Sequence, residues 1–290
     1  MNRMKIVAVS GGVDSMALLH MLQTKTKDLV VAHVNYNQRT TSKRDEALLR
    51  KYCLEHNLKL EVKQFDIDYK GNFQSVARNF RYDFFKYLYD KYEADTLFLG
   101  HHLDDDLETF IMQQNSNRKT KSMGIKEKTE IKGMVVERPL LNLTKKEIIE
   151  YCILNNVPYE DDESNFELDY TRNKTRYKIS QLSKESKDDY LNELKKAKEL
   201  KENYNDKIPT LPNPFNIDSY LLYPKEQRQD ALRYFLGNNG VNPHGFTKSY
   251  LENLDQLITS GKAQHPIQDM NLSISYNEVY LHGDLSFSYT

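Results

Sequence analysis

Lys5-Ile6-Val7-Ala8-Val9-Ser10-Gly11-Gly12-Val13-Asp14-Ser15-Met16-Ala17-Leu18-Leu19-His20-Met21-Leu22 reads as one unit, a buried strand, a tight turn and a helix. The run Ile6–Val9 has the length and β-branched content of a buried strand, and Met16–Leu22 continues as the helix after it. Between them lies Ser10-Gly11-Gly12-Val13-Asp14-Ser15. The glycines let the backbone take unusual dihedrals and approach a ligand closely. Their amides and the serine hydroxyls can surround an anion, and the helix beginning near Ser15 adds its dipole and free amides. Asp14 is a poor direct partner for a phosphate; a magnesium or hydrogen-bonding role suits it better. A plain strand-to-helix turn with a capping serine would use some of the same residues. A pattern of six consecutive positions between strand and helix favours the anion loop. No lysine follows the second glycine, so this is not the GxxxxGK[ST] loop, and γ-phosphate transfer is not the expected chemistry.

Working outward, short apolar runs alternate with amphipathic stretches. Leu29–Val34, Leu58–Phe65 and Thr96–Leu99 read as strands; residues 43–56 and 73–93 read as helices. This alternation predicts an α/β fold, a parallel sheet with helices on both faces. Ligands then sit at the carboxyl ends of the strands, which lines up Ser10–Ser15, His33–Arg39 and Gly100–Glu108. Thr144-Lys145-Lys146-Glu147 is a capping box that opens a helix ended by Val157-Pro158. A charged helix covers 183–206, and Pro209, Pro212 and Pro214 mark a domain boundary after it. Beyond lie helices near 224–236 and 247–259, then two alternating runs flanking Asn277-Glu278, a hairpin. The second domain is therefore expected to be small, mainly helical and closed by a β-hairpin.

Charged residues make up 29% of the 290 residues yet nearly cancel to a net charge of −1. That argues against a purely electrostatic nucleic-acid binder and leaves room for a local basic face. The two cysteines, Cys53 and Cys152, imply neither a disulfide framework nor a metal spacing and fit a reducing cytosol. The apolar stretch after Met1-Asn2-Arg3-Met4-Lys5 is too short for a signal core or a membrane span. A soluble, cytoplasmic protein with no membrane partner is expected.

Further motifs carry chemistry. In Gly100-His101-His102-Leu103-Asp104-Asp105-Asp106-Leu107-Glu108-Thr109, a helix starting near Asp104 puts Asp105 and Glu108 on one face. Two such carboxylates can hold an ammonium group, hold a metal or act as a base. Acidic residues also suit any first helical turn, which explains Asp104 and Asp106 equally well. His101 and His102 are candidate phosphate or base contacts. Arg78 and Arg81, in Ala77-Arg78-Asn79-Phe80-Arg81-Tyr82, share a helix face and suit bidentate binding of phosphate or carboxylate, or a solvated surface. Arg172, Lys174, Arg176 and Lys178 place four positive charges within seven residues, interleaved with Tyr177 and preceded by Tyr170. They suit a nucleic-acid face or a solvated helix. The basic stretch at 118–132 reads as a loop that orders on RNA or stays solvated.

The loop resembles the SGGxDS signature of the N-type ATP pyrophosphatases, which cleave ATP between the α and β phosphates. In order along the chain, ARxxRY (Ala77–Tyr82), HHLDDxxET (His101–Thr109), RPLL (Arg138–Leu141) and DxSNx(4)YxRNxxR (Asp162–Arg176) resemble the tRNA(Ile)-lysidine synthetases within that superfamily. The family usually carries VNHGLR where this chain has Val34-Asn35-Tyr36-Asn37-Gln38-Arg39, so no histidine role transfers there. Longer members also have an additional C-terminal domain, which at this length is not expected here. The resemblance implies an adenine nucleotide alpha hydrolase-like catalytic domain over 1–206 and a tRNA-binding domain over 207–290. It implies ATP bound at Ser10, Gly11, Gly12, Val13, Asp14 and Ser15, with Mg2+ on Asp14. It implies Asp14, Asp105 and Glu108 as catalytic residues, and Arg78, His101, Asp105 and Glu108 on the substrates. Arg172, Lys174, Arg176 and Lys178 would meet tRNA. The implied partners are free L-lysine and the isoleucine tRNA with a CAU anticodon, and a homodimer is compatible. The alternatives are a tRNA 2-thiolation enzyme of the same superfamily, which would typically bring paired cysteines; an amidotransferase-type synthetase; and a non-catalytic nucleotide- or tRNA-binding module.

Overall fold

The computed structural model describes residues 3–36, 42–65, 73–116, 120, 122–160, 170–241, 246–261, 264–268 and 270–283. The chain divides into two compact units, Met1–Lys198 and Glu199–Thr290.

The first unit is built on a six-stranded sheet. Its strands are β1 (Lys5–Ala8), β2 (Leu29–Asn35), β3 (Lys59–Gln64), β4 (Thr96–Phe98), β5 (Lys128–Ile131) and β6 (Met134–Glu137), in the order β3-β2-β1-β4-β6-β5. β1 lies between β2 and β4, both parallel to it, with Lys5 opposite Leu29 on one side and Thr96 on the other. β2 is buried at all seven positions, as expected of an interior strand covered on both faces. Alternation along the strands sends successive side chains to opposite faces. Val7, Leu29 and Val31 pack under α1 (Val13–Gln23), α2 (Ser42–Glu55) and α5 (Lys145–Leu154), against Met16, Leu49 and Ile148. Ile6, Val30, Ala32 and Leu97 pack under α3 (Phe73–Lys91), against Phe85 and Leu88. α4 (Leu103–Gln114), α6 (Tyr170–Ser180) and the N-terminal part of α7 (Lys184–Asn205) build a separate small core from Leu107, Phe110, Ile179 and Leu194.

The sheet is parallel except at one edge, where β5 runs antiparallel to β6. The sequence reading placed 118–132 in a loop, and for Lys128–Ile131 the structure corrects it. These residues pair with Met134–Glu137 across a turn in which Lys132 and Gly133 take φ of 50° and 73°. Residues 118, 119 and 121 of that stretch lie outside the described residues.

The second unit carries a four-stranded antiparallel sheet in the order β7-β10-β9-β8, more extensive than the single hairpin expected. β7 is Phe215–Asn216, β8 Gln264–Ile267, β9 Met270–Ser275 and β10 Glu278–Gly283. Leu272, Val279 and Leu281 pack with Leu232 and Phe235 of α9 (Lys225–Asn238) and with Leu254 and Ile258 of α10 (Lys248–Thr259). The β9–β10 turn falls at Tyr276-Asn277, φ 48° and 63°, one residue earlier than the sequence suggested. Two successive left-handed residues match the twist of a two-residue hairpin. α8 (Ile217–Leu221) is tied in by Asp255, which is 2% exposed. Asp255 accepts a hydrogen bond from Tyr220 at 2.6 Å and two from Arg228 at 2.9 and 3.1 Å.

Candidate active site at the loop after β1

The loop after β1 is closed by its two serine hydroxyls, with Ser10 Oγ accepting from the Gly12 amide at 3.3 Å. Ser15 Oγ accepts from the Ser10 amide at 3.1 Å and the Gly11 amide at 3.2 Å, and donates to the Gly12 carbonyl at 2.9 Å. Gly11 has φ of 103°, where L side chains are strained, and a Cβ there would stand 3.2 Å from Asp45 Cβ on α2. Glycine is the residue this position admits. On its outer side the loop is braced by the Glu160 amide, which donates to the Gly11 carbonyl at 3.1 Å. With α1 starting at Val13, the helix N-terminus opens directly onto the loop, where its dipole and first amides favour an anion.

On the α3 side of the sheet the loop opens into a cavity of about 220 Å³ at the carboxyl ends of β1, β2 and β4. Ser10, Asp14, Ser15, Tyr36, Arg78, Arg81, Gly100 and His101 line it, together with apolar Ala32, Val34 and Phe85. The Arg78 guanidinium lies 4.9 Å from the Tyr82 ring centroid, a cation–π contact that aims it along the cavity wall. Tyr36 stands where the resemblance would place a histidine. Its ring packs on Phe65 and Phe73, with centroids 5.5 and 6.2 Å away. Burial raises the Tyr36 hydroxyl pKa, against the charge and hydrogen bond of Arg81. Apolar walls with a few convergent cations suit a nucleotide.

Around Asp14 and α4 a second set of groups gathers. Asp14 accepts two hydrogen bonds from Lys145 Nζ, at 2.7 and 2.8 Å. His102 Nε2 lies 3.8 Å from Asp14 and 3.3 Å from Asp105, and its Nδ1 lies 3.5 Å from Asp104. Burial opposes the charge on His102, but the Asp104 contact and the fields of Asp105 and Asp14 outweigh it and raise its pKa. Asp104 is held below the usual carboxylate range, chiefly by His102 and against its own burial. Glu108, 2% exposed, accepts from Arg176 Nε at 2.9 Å, and the same guanidinium reaches Asp105 at 3.6 Å. Burial works against the Arg176 charge and the Glu108 carboxylate reverses it, so the guanidinium pKa is raised.

The structure thus separates the sequence candidates into two neighbourhoods with Asp14 in both. Arg78 and His101 line the cavity with the loop; Asp105 and Glu108 belong to the acidic set. Of the basic candidates on α6, Arg176 turns inward onto that set, while Lys174, Tyr177 and Lys178 are exposed on the opposite face. The side chain of Arg172 and all of Arg39 and Asp162–Asn165 lie outside the described residues. Asp106, third of the consecutive aspartates, is 2% exposed and faces away, accepting from the Ile125 amide at 2.6 Å and from Lys198. Lys145 was not a sequence candidate. It stands 131 residues from Asp14, and as an ordinary polar residue in a capping box it gave no sign of reaching the loop. Among the described residues no three His, Cys, Asp or Glu side chains form a metal cluster. Magnesium at nucleotide sites commonly takes only one or two carboxylates beside phosphate oxygens. Asp14, on the cavity wall beside the loop, is a carboxylate of that kind.

The fold and the loop define the class: residues 1–183 match the PP-loop domain family of ATP-binding proteins. Over 270 residues, 89% of this chain and 91% of the relative, the sequence is 36% identical to the tRNA(Ile)-lysidine synthase of Mycoplasmopsis pulmonis. It is 37% identical to that of Ureaplasma parvum, over 81% of this chain and 72% of the relative. The chain belongs to the tRNA(Ile)-lysidine synthase family. Among solved structures, the U34-tRNA thiolase NcsA from Methanococcus maripaludis shares the fold, with a TM-score of 0.60 at 17% identity over 69% of this chain and 72% of that one.

Proposed function

We propose that this chain joins free L-lysine to the wobble cytidine of the CAU-anticodon isoleucine tRNA at the expense of ATP. The C2 carbonyl oxygen of the cytidine attacks the α-phosphorus, and the α–β bond breaks with loss of pyrophosphate. The lysine side-chain amine then attacks C2, a proton leaves the amine, and AMP departs with the former carbonyl oxygen. Adenylation is needed because a carbonyl oxygen is otherwise a poor leaving group.

The observation that carries this reading is the position of Asp14. It lines the cavity with Ser10, Ser15 and Arg78, and contacts the acidic set through Lys145 and His102. An activation site and an amine site therefore share one edge. Ser10–Ser15 hold phosphates, and Arg78 and His101 face the substrate in the cavity. Asp105 and Glu108, already engaged with the Arg176 cation, form the site for the lysine ammonium, and either carboxylate can take its proton. Magnesium on Asp14 would neutralise phosphate charge. Lys174 and Lys178 offer an exposed basic face to the tRNA, and residues 207–290 add to tRNA binding.

The thiolation alternative is disfavoured by Cys53 and Cys152. Both are buried, and burial pushes both thiols up to about 11, far from the thiolate needed for sulfur transfer. Two cysteines also fall short of the three or four ligands of an iron–sulfur cluster.

The test is incorporation of labelled lysine with ATP, magnesium and transcripts of the isoleucine CAU tRNA and the methionine tRNA. Lysine entering only the isoleucine transcript, with AMP formed in step, is expected. ATP split to AMP with no lysine in either tRNA would leave the loop reading and remove the lysidine reading.

A further inference from the structure

The loop at Ser10–Ser15 contains no cation, and its one charged member, Asp14, is negative. A nucleotide cleaved between its α and β phosphates develops extra negative charge on the departing pyrophosphate. A site that accelerates this cleavage must meet that charge with donors already in place. The amides of Ser10 and Gly11 are both bonded to Ser15 Oγ and do not meet it as the loop stands. The cations in reach differ in their ties. Arg176 is held by the buried Glu108. Arg78 lies over the Tyr82 ring, and Arg81 bonds the half-buried Tyr36 on the cavity wall. Lys145 is bonded directly to the loop, through both oxygens of Asp14.

Two further features suit Lys145 to receive a ligand. It is the first residue of α5, whose N-terminus is fixed by the reciprocal bonds of Thr144 and Glu147 and by the Lys145 amide donating to Asp104 at 2.8 Å. The backbone that carries the side chain is thus anchored to α4. The side chain itself is 40% exposed, so its ammonium can exchange one oxygen partner for another without opening the core.

We propose that Lys145 is the pyrophosphate-binding cation of this site, held on Asp14 until the nucleotide's β and γ phosphates take over its ammonium. This rests on the PP-loop reading of the site and goes beyond it by assigning the leaving-group contact to α5. The opposing account makes Lys145 a structural clamp between α1 and α5.

The experiment uses the full chain without tRNA or lysine. Thermal unfolding is followed with and without inorganic pyrophosphate and magnesium for the wild type, Lys145→Met and Lys145→Arg. The wild type is expected to gain stability as pyrophosphate binds. Lys145→Met is expected to bind pyrophosphate on the order of tenfold to hundredfold more weakly, the loss of one charge-assisted contact. Lys145→Arg should regain most of the affinity. Lysine incorporation is measured on the same proteins, where Lys145→Met should lower the rate and leave the KM for lysine unchanged. An undiminished pyrophosphate shift in Lys145→Met overturns the proposal. So does a variant that loses unliganded stability while binding pyrophosphate as well as the wild type, which is the behaviour of a clamp. If the wild type incorporates no lysine yet the pyrophosphate shift depends on Lys145, the lysidine reading fails and this inference stands.

Discussion

Three aspartates in a row, Asp104, Asp105 and Asp106, have three separate tasks. Asp104 accepts from the first amide of α5; Asp105 accepts from the His102 amide at 3.1 Å and meets Arg176; Asp106 fastens Ile125 and Lys198. Substitution should separate them. Asp106→Ala strands a buried amide and a cation, so it should cost about 2 kcal/mol or more in a urea unfolding curve and leave the KM values for ATP and lysine near wild type. Glu108→Gln removes a charge from the amine site and should lower kcat/KM for lysine by about a hundredfold, while ATP binding is retained. A Glu108→Gln enzyme with wild-type lysine kinetics would take Glu108 out of the mechanism. The His102–Asp104 pair also sets a pH window. His102 is raised, so its contribution is full below its unfolded value near 6.5 and fades as pH climbs through the folded one. Asp104 is depressed, so its contribution is full above its unfolded value near 3.9 and fades as pH falls through the folded one. The stability difference between wild type and His102→Gln should therefore peak between about pH 4 and 6.5 and shrink on either side.

At the scale of the element, α5 shapes the site. It begins at a capping box, packs Ile148 and Cys152 against the α1 side of the sheet, and delivers Lys145 to Asp14. Thr144→Ala should cost about 1 kcal/mol of stability, the usual worth of an N-cap, and should raise the KM for ATP because the Lys145 anchor loosens. Unchanged ATP kinetics alongside the stability loss would separate the cap from the site. The capping box was legible in the sequence because its bonds are local, four residues long. So was the anion loop, whose strand, glycines and helix are contiguous. The Lys145–Asp14 contact and the inward turn of Arg176 were not, since each joins residues far apart in sequence and depends on how α4, α5 and α6 pack. The β5–β6 hairpin was missed because its strands are short and Lys128–Ile131 is half charged; Lys132-Gly133 was its local sign. The second unit's sheet was read as one hairpin because β7 is two residues long and β8 contains Pro266.

At the scale of the whole molecule, a net charge of −1 leaves no general attraction for RNA, so binding must come from local faces. α6 provides such a face, with Lys174, Tyr177 and Lys178 exposed and Thr175 and Ile179 buried. Replacing Lys174 and Lys178 together by alanine should raise the KM for tRNA several-fold and reduce the slope of log affinity against log salt by about 1 to 2. The KM for ATP should not move. A tRNA affinity and salt slope equal to wild type would direct the search to another surface.

The three attachments of Asp104, Asp105 and Asp106 point in three directions from successive positions of one helical turn. Each residue of an α-helix advances the azimuth by about 100°. One residue inserted or deleted between His102 and Asp106 would hand every carboxylate to its neighbour's destination at once. α5 would lose its tether, the amine site its acid and Ile125 its fastening. The stretch is thus constrained in length as well as in sequence, and among lineages of this protein a gap there should be rarer than a substitution.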